Sequence, residues 1–109
     1  MSAYWITRCH INDQEIYEKY LELAGPAILE YGGKFLVRGG KQIEKEGTGF
    51  ERTVLVEFED LTAAQKCYDS DAYKAALEFS KQSSNRLVVL VDGISVSYTH
   101  LTLPTNSGV

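Results

Sequence analysis

The order in which the hydrophobic period changes along the chain constrains the fold more than any other feature. Four runs rich in β-branched and aromatic residues read as strands: AYWITRCHI at 3–11, KFLVR at 34–38, RTVLVEF at 52–58 and RLVVLV at 86–91. Between the first two, Ile16, Tyr20, Leu23, Ala24, Ala27 and Ile28 recur at helical spacing up to about Tyr31. Between the last two lie a pattern at about 61–69 with Ala63, Ala64 and Cys67 inward, and another to about Lys81 with Tyr73, Ala76 and Leu77. The middle gap, KQIEKEGTGFE, has no such period and reads as a loop. The order is β-α-β-β-α-β. Two right-handed β-α-β halves of that order give a four-stranded antiparallel sheet with the helices on one face, in the strand order fourth, first, third, second. The fold class is therefore α+β, a ferredoxin-like sandwich.

Local signals mark the element ends. Asn12 or Asp13 can accept from the first free helical N–H groups, and Glu15, three residues after Asn12, suggests a capping box. Pro26 lies inside the first helical pattern and predicts a kink, and Gly32-Gly33 predicts its end. Asp60 caps the second pattern, Ser70 or Asp71 the third, and KQSSN reads as a polar loop before the last strand.

With all helices on one face, the other face of the sheet is left bare. The strands AYWITRCHI and RLVVLV are apolar on both faces, so the bare face is expected to meet a second sheet, most economically in a homodimer. Residues 1–94 form this single domain, since a second core would need roughly another 50 to 100 residues. Residues 95–109, SVSYTHLTLPTNSGV, contain no charged residue. VSYTHLTLPTN resembles an in-frame translation of adapter or transposon-end DNA, so the segment is read as a non-native or disordered tail; the alternative is an extension that wraps a partner subunit. It is assigned no function, His100 included.

Eleven Lys+Arg against fifteen Asp+Glu give a net charge of −4, which provides no long-range attraction for nucleic acid or an anionic membrane. No run approaches the ~18 apolar residues of a membrane span. MSAYWITRCH lacks a basic stretch followed by a long apolar one, so a cytoplasmic, reducing setting is expected. Cys9 and Cys67 have no metal or redox spacing and read as small buried hydrophobes.

AYWITRCHINDQEIYEKY, GGKFLVRGG, RTVLVEFEDLTAAQKCYDSDAYKAAL and RLVVLVDG together resemble the family catalogued as domain of unknown function 1330, over residues 3 to about 94. FLVRGG, the VEF strand end and CYDSDAY carry most of the likeness. The family's usual Asp-Pro before the first helix is Asp13-Gln14 here. The resemblance implies a dimeric α/β barrel, in which two ferredoxin-like sheets pack face to face. It supplies no reaction; related barrels include cofactor-independent monooxygenases, isomerases and haem-handling enzymes.

GGKFLVRGGK, at 32–41, raises a phosphate-loop question, but no helix is expected after either Gly-Gly-Lys, and such a loop needs one. A single RGG in an acidic domain reads as a strand end. Strict alternation puts Tyr4, Ile6, Arg8 and His10 on one face of the first strand and Lys34, Leu36 and Arg38 on one face of the second. In the expected sheet Arg8, His10, Arg38 and Arg52 converge at one end, with Glu57 toward the other. Arg8, Arg38 and Arg52, beside Tyr17 and Tyr20, are the candidate ligand-binding residues for a small anionic or aromatic molecule, because a guanidinium forks onto a carboxylate. His10 is the candidate acid–base catalyst. No metal or cofactor is expected: the domain offers one histidine and no nucleophile elbow. Two function classes stand. One is a homodimer binding a small organic ligand near Arg38, with room for cofactor-independent chemistry; the other is a non-catalytic dimeric module whose arginines form interface ion pairs.

Overall fold

A computed structural model describes residues 2–94; the tail at 95–109 lies outside the described residues. The elements are β1 (Ala3–Ile11), α1 (Gln14–Glu30), β2 (Lys34–Arg38), β3 (Arg52–Phe58), α2 (Leu61–Asp69), α3 (Asp71–Ser83) and β4 (Ser84–Asp92). The four strands form one antiparallel sheet ordered β2-β3-β1-β4, which is the ferredoxin-like order expected from the sequence.

Alternation along β1 sends Ala3, Trp5, Thr7 and Cys9 into the core beneath the helices and leaves Tyr4, Ile6, Arg8 and His10 on the opposite face. Trp5 is the centre of the core. Its ring stacks near Phe58 at 6.0 Å and meets Tyr73 edge-on at 4.8 Å, geometries that aromatic quadrupoles favour. Val56, Ala64, Cys67 and Ala76 complete the seal, each fully buried. Cys9 and Cys67 are buried free thiols, and burial pushes Cys67 up to about 11.

The caps differ in detail from the sequence reading. Asp13 is the N-cap of α1, its carboxylate accepting from Ile16 N–H at 3.2 Å. That places Ile16, and not Glu15, at the third helical position, so no capping box forms. The helix runs unbroken through Pro26 to Glu30. Asp60 and Ser70 cap α2 and α3 through Ala63 and Tyr73 N–H groups. Gly33 must be glycine: a Cβ there would sit 2.5 Å from Ile28 and 2.9 Å from Phe58. The expected KQSSN loop is absent, because α3 continues to Ser83 and β4 starts at Ser84. The Ser83 and Ser84 hydroxyls donate to the Phe79 and Ser80 carbonyls, occupying acceptors that the helix end would leave open. The Ser83 carbonyl meanwhile accepts from Asn12 and Asp13, tying this joint to the start of α1.

On the uncovered face, Leu87 is 57% exposed, Val89 52% and Val91 42%, an apolar row along the edge strand β4.

Candidate functional site

A narrow cleft opens between α1 and the β2–β3 side of the sheet. Its enclosed part is about 20 Å³, room for a water or two, and the figure reaches about 390 Å³ only when the open solvent at its mouth is counted. Trp5, Val54, Val56 and Ala24 give it apolar walls, and Tyr17, Tyr20, Arg38 and Arg52 supply its polar groups. Four of the six residues singled out from the sequence thus line one space.

Arg38 arrives there by an irregularity. Lys34 pairs with Glu57 and Phe35 with Val56, but Val37 then pairs with Leu55 and Arg38 with Val54. Leu36 is the extra residue of a β-bulge, so the alternation slips by one and Arg38 joins the face of Phe35. The expected sharing of a face by Lys34 and Arg38 is therefore corrected. The Arg38 guanidinium lies 4.1 Å from the Phe35 ring centroid and against Gly25 of α1. A Cβ on Gly25 would stand 2.8 Å from Arg38 Nη2, so the bare glycine makes room for the guanidinium. Arg52 folds over Gly39, a residue with φ of 73°, where a Cβ would both strain the backbone and strike the guanidinium.

The other two candidates do not join them. Arg8 is on the uncovered face, where Nη2 lies 3.4 Å from Glu44 and 3.2 Å from the Phe50 carbonyl it donates to. Glu44 also accepts from Phe50 N–H, and Gln42 donates to the Phe50 carbonyl. Arg8 thus clamps the β2–β3 loop. His10 Nδ1 sits 3.0 Å from Glu51, itself bonded to Ile11 N–H. These contacts, His10 foremost, pull the Glu51 carboxyl down to about 2. The expected convergence of Arg8 and His10 with Arg38 and Arg52 is not realised, because even positions of β1 face away from the helices while the bulge turns Arg38 toward them. His10 is exposed on the wrong face to act on anything in the cavity.

A third inward-facing arginine, Arg86, lies at this end of the sheet, lining a separate cleft with Tyr68, Leu77 and Val88 and not the cavity itself. Cys9 pairs with Arg52 on one side and Arg86 on the other, so the three form one inward-facing rung. Arg86 was missed because RLVVLV reads as apolar on both faces; its in-register position opposite Cys9 was the available signal. Arg86 Nη2 donates to Tyr73 Oη at 2.9 Å, and its guanidinium lies 4.8 Å from the Tyr20 ring centroid. Burial works against this charge, but Tyr20 and Tyr73 beside it outweigh that and keep its pKa above the ordinary guanidinium value. Burial holds the Tyr17 and Tyr73 hydroxyls above the usual phenol range, so both stay protonated near neutral pH.

Among the described residues, none of Arg38, Arg52 and Arg86 lies within ion-pair distance of a carboxylate. Arg52 Nε and Arg86 Nη1 are buried without any hydrogen-bond partner. Buried donors are nearly always satisfied, so such orphans require an explanation. No group of three or more His, Cys, Asp or Glu among the described residues is placed to hold a metal.

The strand order and helix placement define a ferredoxin-like α+β protein with a cationic, tyrosine-lined cavity between helix and sheet. Residues 2–94 match the family model described as "Domain of unknown function (DUF1330)", and the chain belongs to that family. Among solved structures it is similar to a protein of unknown function from Rhodopseudomonas palustris, at 13% identity and TM-score 0.71, covering 86% of this chain and 83% of that one. A dimeric ferredoxin-like protein of unknown function from Bacteroides fragilis matches at 12% identity and TM-score 0.60, covering 84% and 96%. A cofactor-independent oxygenase from Streptomyces nogalater matches at 11% and 0.60, covering 87% and 95%. At these identities the likeness is one of fold. No curated protein sequence matches the chain.

Proposed function

We propose that the chain is a homodimeric protein that binds a small organic anion in the cavity between α1 and the sheet, with Arg38 and Arg52 as its anchors. One observation carries this reading: Arg52 holds a buried, unpartnered Nε beside a cavity into which a second carboxylate-free arginine projects. A carboxylate or enolate would satisfy both forks at once, and the apolar walls suit an aromatic or aliphatic body. The exposed row of Leu87, Val89 and Val91 supports a sheet-to-sheet dimer, as does the dimeric character of the Bacteroides fragilis protein. The fold shared with a cofactor-independent oxygenase supports cofactor-free chemistry on the bound ligand by analogy alone. In that case a tyrosine supplies the acid–base group.

The second reading, a non-catalytic dimeric module whose arginines pair across an interface, is favoured by Arg8, which lies on the uncovered face beside Glu44. Arg38→Ala separates the two. An intact dimer that no longer shows a ligand-induced thermal shift supports the ligand reading. A large fall in melting temperature and dimer affinity supports the module. Residues 1–94 eluting as a monomer at micromolar concentration would rule out the dimer under both.

A further inference from the structure

Arg86, Tyr73 and Tyr20 form a hydrogen-bond chain whose direction is fixed at one end. A guanidinium can only donate, so Tyr73 Oη accepts from Arg86 Nη2. Tyr73 Oη and Tyr20 Oη are 2.8 Å apart, and a single proton occupies that contact. Two hydroxyls bring two protons, so one is left over. Were it the Tyr73 proton, it would be stranded, since Tyr73 is fully buried and Arg86 and Tyr20 are its hydroxyl's partners among the described residues. With the Tyr73 proton placed on Tyr20, the leftover proton belongs to Tyr20, the member of the pair that lines the cavity. The Tyr17 hydroxyl is less free, lying 3.6 Å from Cys9 Sγ.

We infer that Tyr20 is an oriented hydrogen-bond donor to the cavity ligand, that Tyr73 and Arg86 are its positioning residues, and that the ligand is a small acid with a second acceptor oxygen, a 2-oxo acid or its enol. The inference rests on the anion-binding reading above. Arg38 is exposed at the mouth while Tyr20 is only 6% exposed, so a carboxylate held by the arginines directs the rest of the molecule inward to Tyr20. The walls there are apolar, and a fixed donor in such surroundings acts more strongly than one in water. The Arg86 cation over the Tyr20 ring adds to the pull on an acceptor that carries developing negative charge.

The test is a matched pair of acids, phenylpyruvate and 3-phenylpropanoate, which differ by the keto oxygen. Binding is followed by the fluorescence of Trp5, the single tryptophan and a residue of the cavity wall. The wild-type protein should prefer phenylpyruvate by roughly 10-fold, the effect of one hydrogen bond in a desolvated site. Tyr20→Phe should bring that preference to about one, whatever its effect on the affinity common to the two acids. Tyr73→Phe, which keeps the ring and removes the orienting hydroxyl, should reduce it by roughly threefold, an effect that general loosening would not confine to one acid. Arg38→Ala should weaken both acids alike. A preference that survives Tyr20→Phe overturns the inference and leaves the anion site standing. Failure of both acids to bind the wild-type protein removes the anion site, and the inference with it.

Discussion

The two faces of the sheet carry the same residue types and use them in opposite ways. On the uncovered face, Arg8 is matched to Glu44 and a loop carbonyl, and His10 to Glu51. On the helix-covered face, Arg38, Arg52 and Arg86 lie over aromatic rings and bare glycines with no carboxylate in reach among the described residues. An arginine satisfied by its own chain is a fastener. One held in place with donors left over, as Arg52 and Arg86 are, is what the proposed ligand site requires, because the cost of desolvating such a donor is recovered only when a partner arrives.

The comparison can be broken in several ways. The largest effect should come from Trp5→Ala, which empties the centre of the covered face and should cost about 3–5 kcal/mol in a denaturant titration. Val89→Glu, on the uncovered face, should leave the monomer folded and abolish self-association by size-exclusion chromatography; an unchanged elution volume would show that the apolar row is not an interface. Arg52→Met should raise the melting temperature of the ligand-free protein, by a stability gain on the order of 1 kcal/mol, because it removes a buried orphan donor. Arg8→Ala should do the opposite, lowering stability by roughly 0.5–1 kcal/mol through the loop while sparing ligand affinity.

The smallest effects concern pH. Glu51 is held below its ordinary 4.5, at about 2, so its contact with His10 stabilises the fold above that range and is lost as pH falls from 4.5 toward 2. Glu51→Gln should flatten the stability profile across that window. Cys67 is raised from 9.0 to about 11, which means the folded state holds its proton more tightly and stability declines as pH rises between those values. Cys67→Ala should lessen that decline.

Much of this architecture was legible in the sequence, for a physical reason. Strand and helix periods, the Asp60 and Ser70 caps and the Gly32-Gly33 stop are local properties, and the sheet order follows from chain handedness. What was not legible depends on partners. The bulge at Leu36 is defined by what β3 offers opposite it, and no feature of KFLVR announces it. The direct joint at Ser83-Ser84 relies on hydroxyls turning back onto α3, so a polar tetrad that looks like a loop is helix end and strand start. Arg86 opens an apolar run and was not singled out within it, although its register beside Cys9 turns it toward the aromatic cluster. Helical spacing alone turned Tyr20 toward the sheet, whereas the expected stripe included Leu23, which is 42% exposed, and left out Tyr17, which is buried.

The single extra residue in β2 also bears on how relatives of this chain are compared. Because Leu36 shifts every later side chain of the strand by one position, a homologue with a four-residue β2 and no bulge would still present its terminal arginine to the cavity. One with five regularly alternating residues would present it to the opposite face. An ungapped alignment would equate the second arginine with Arg38 and set the first one out of register. Within this family, a gap at position 36 therefore carries more information about which face the arginine lines than the identity of the arginine itself.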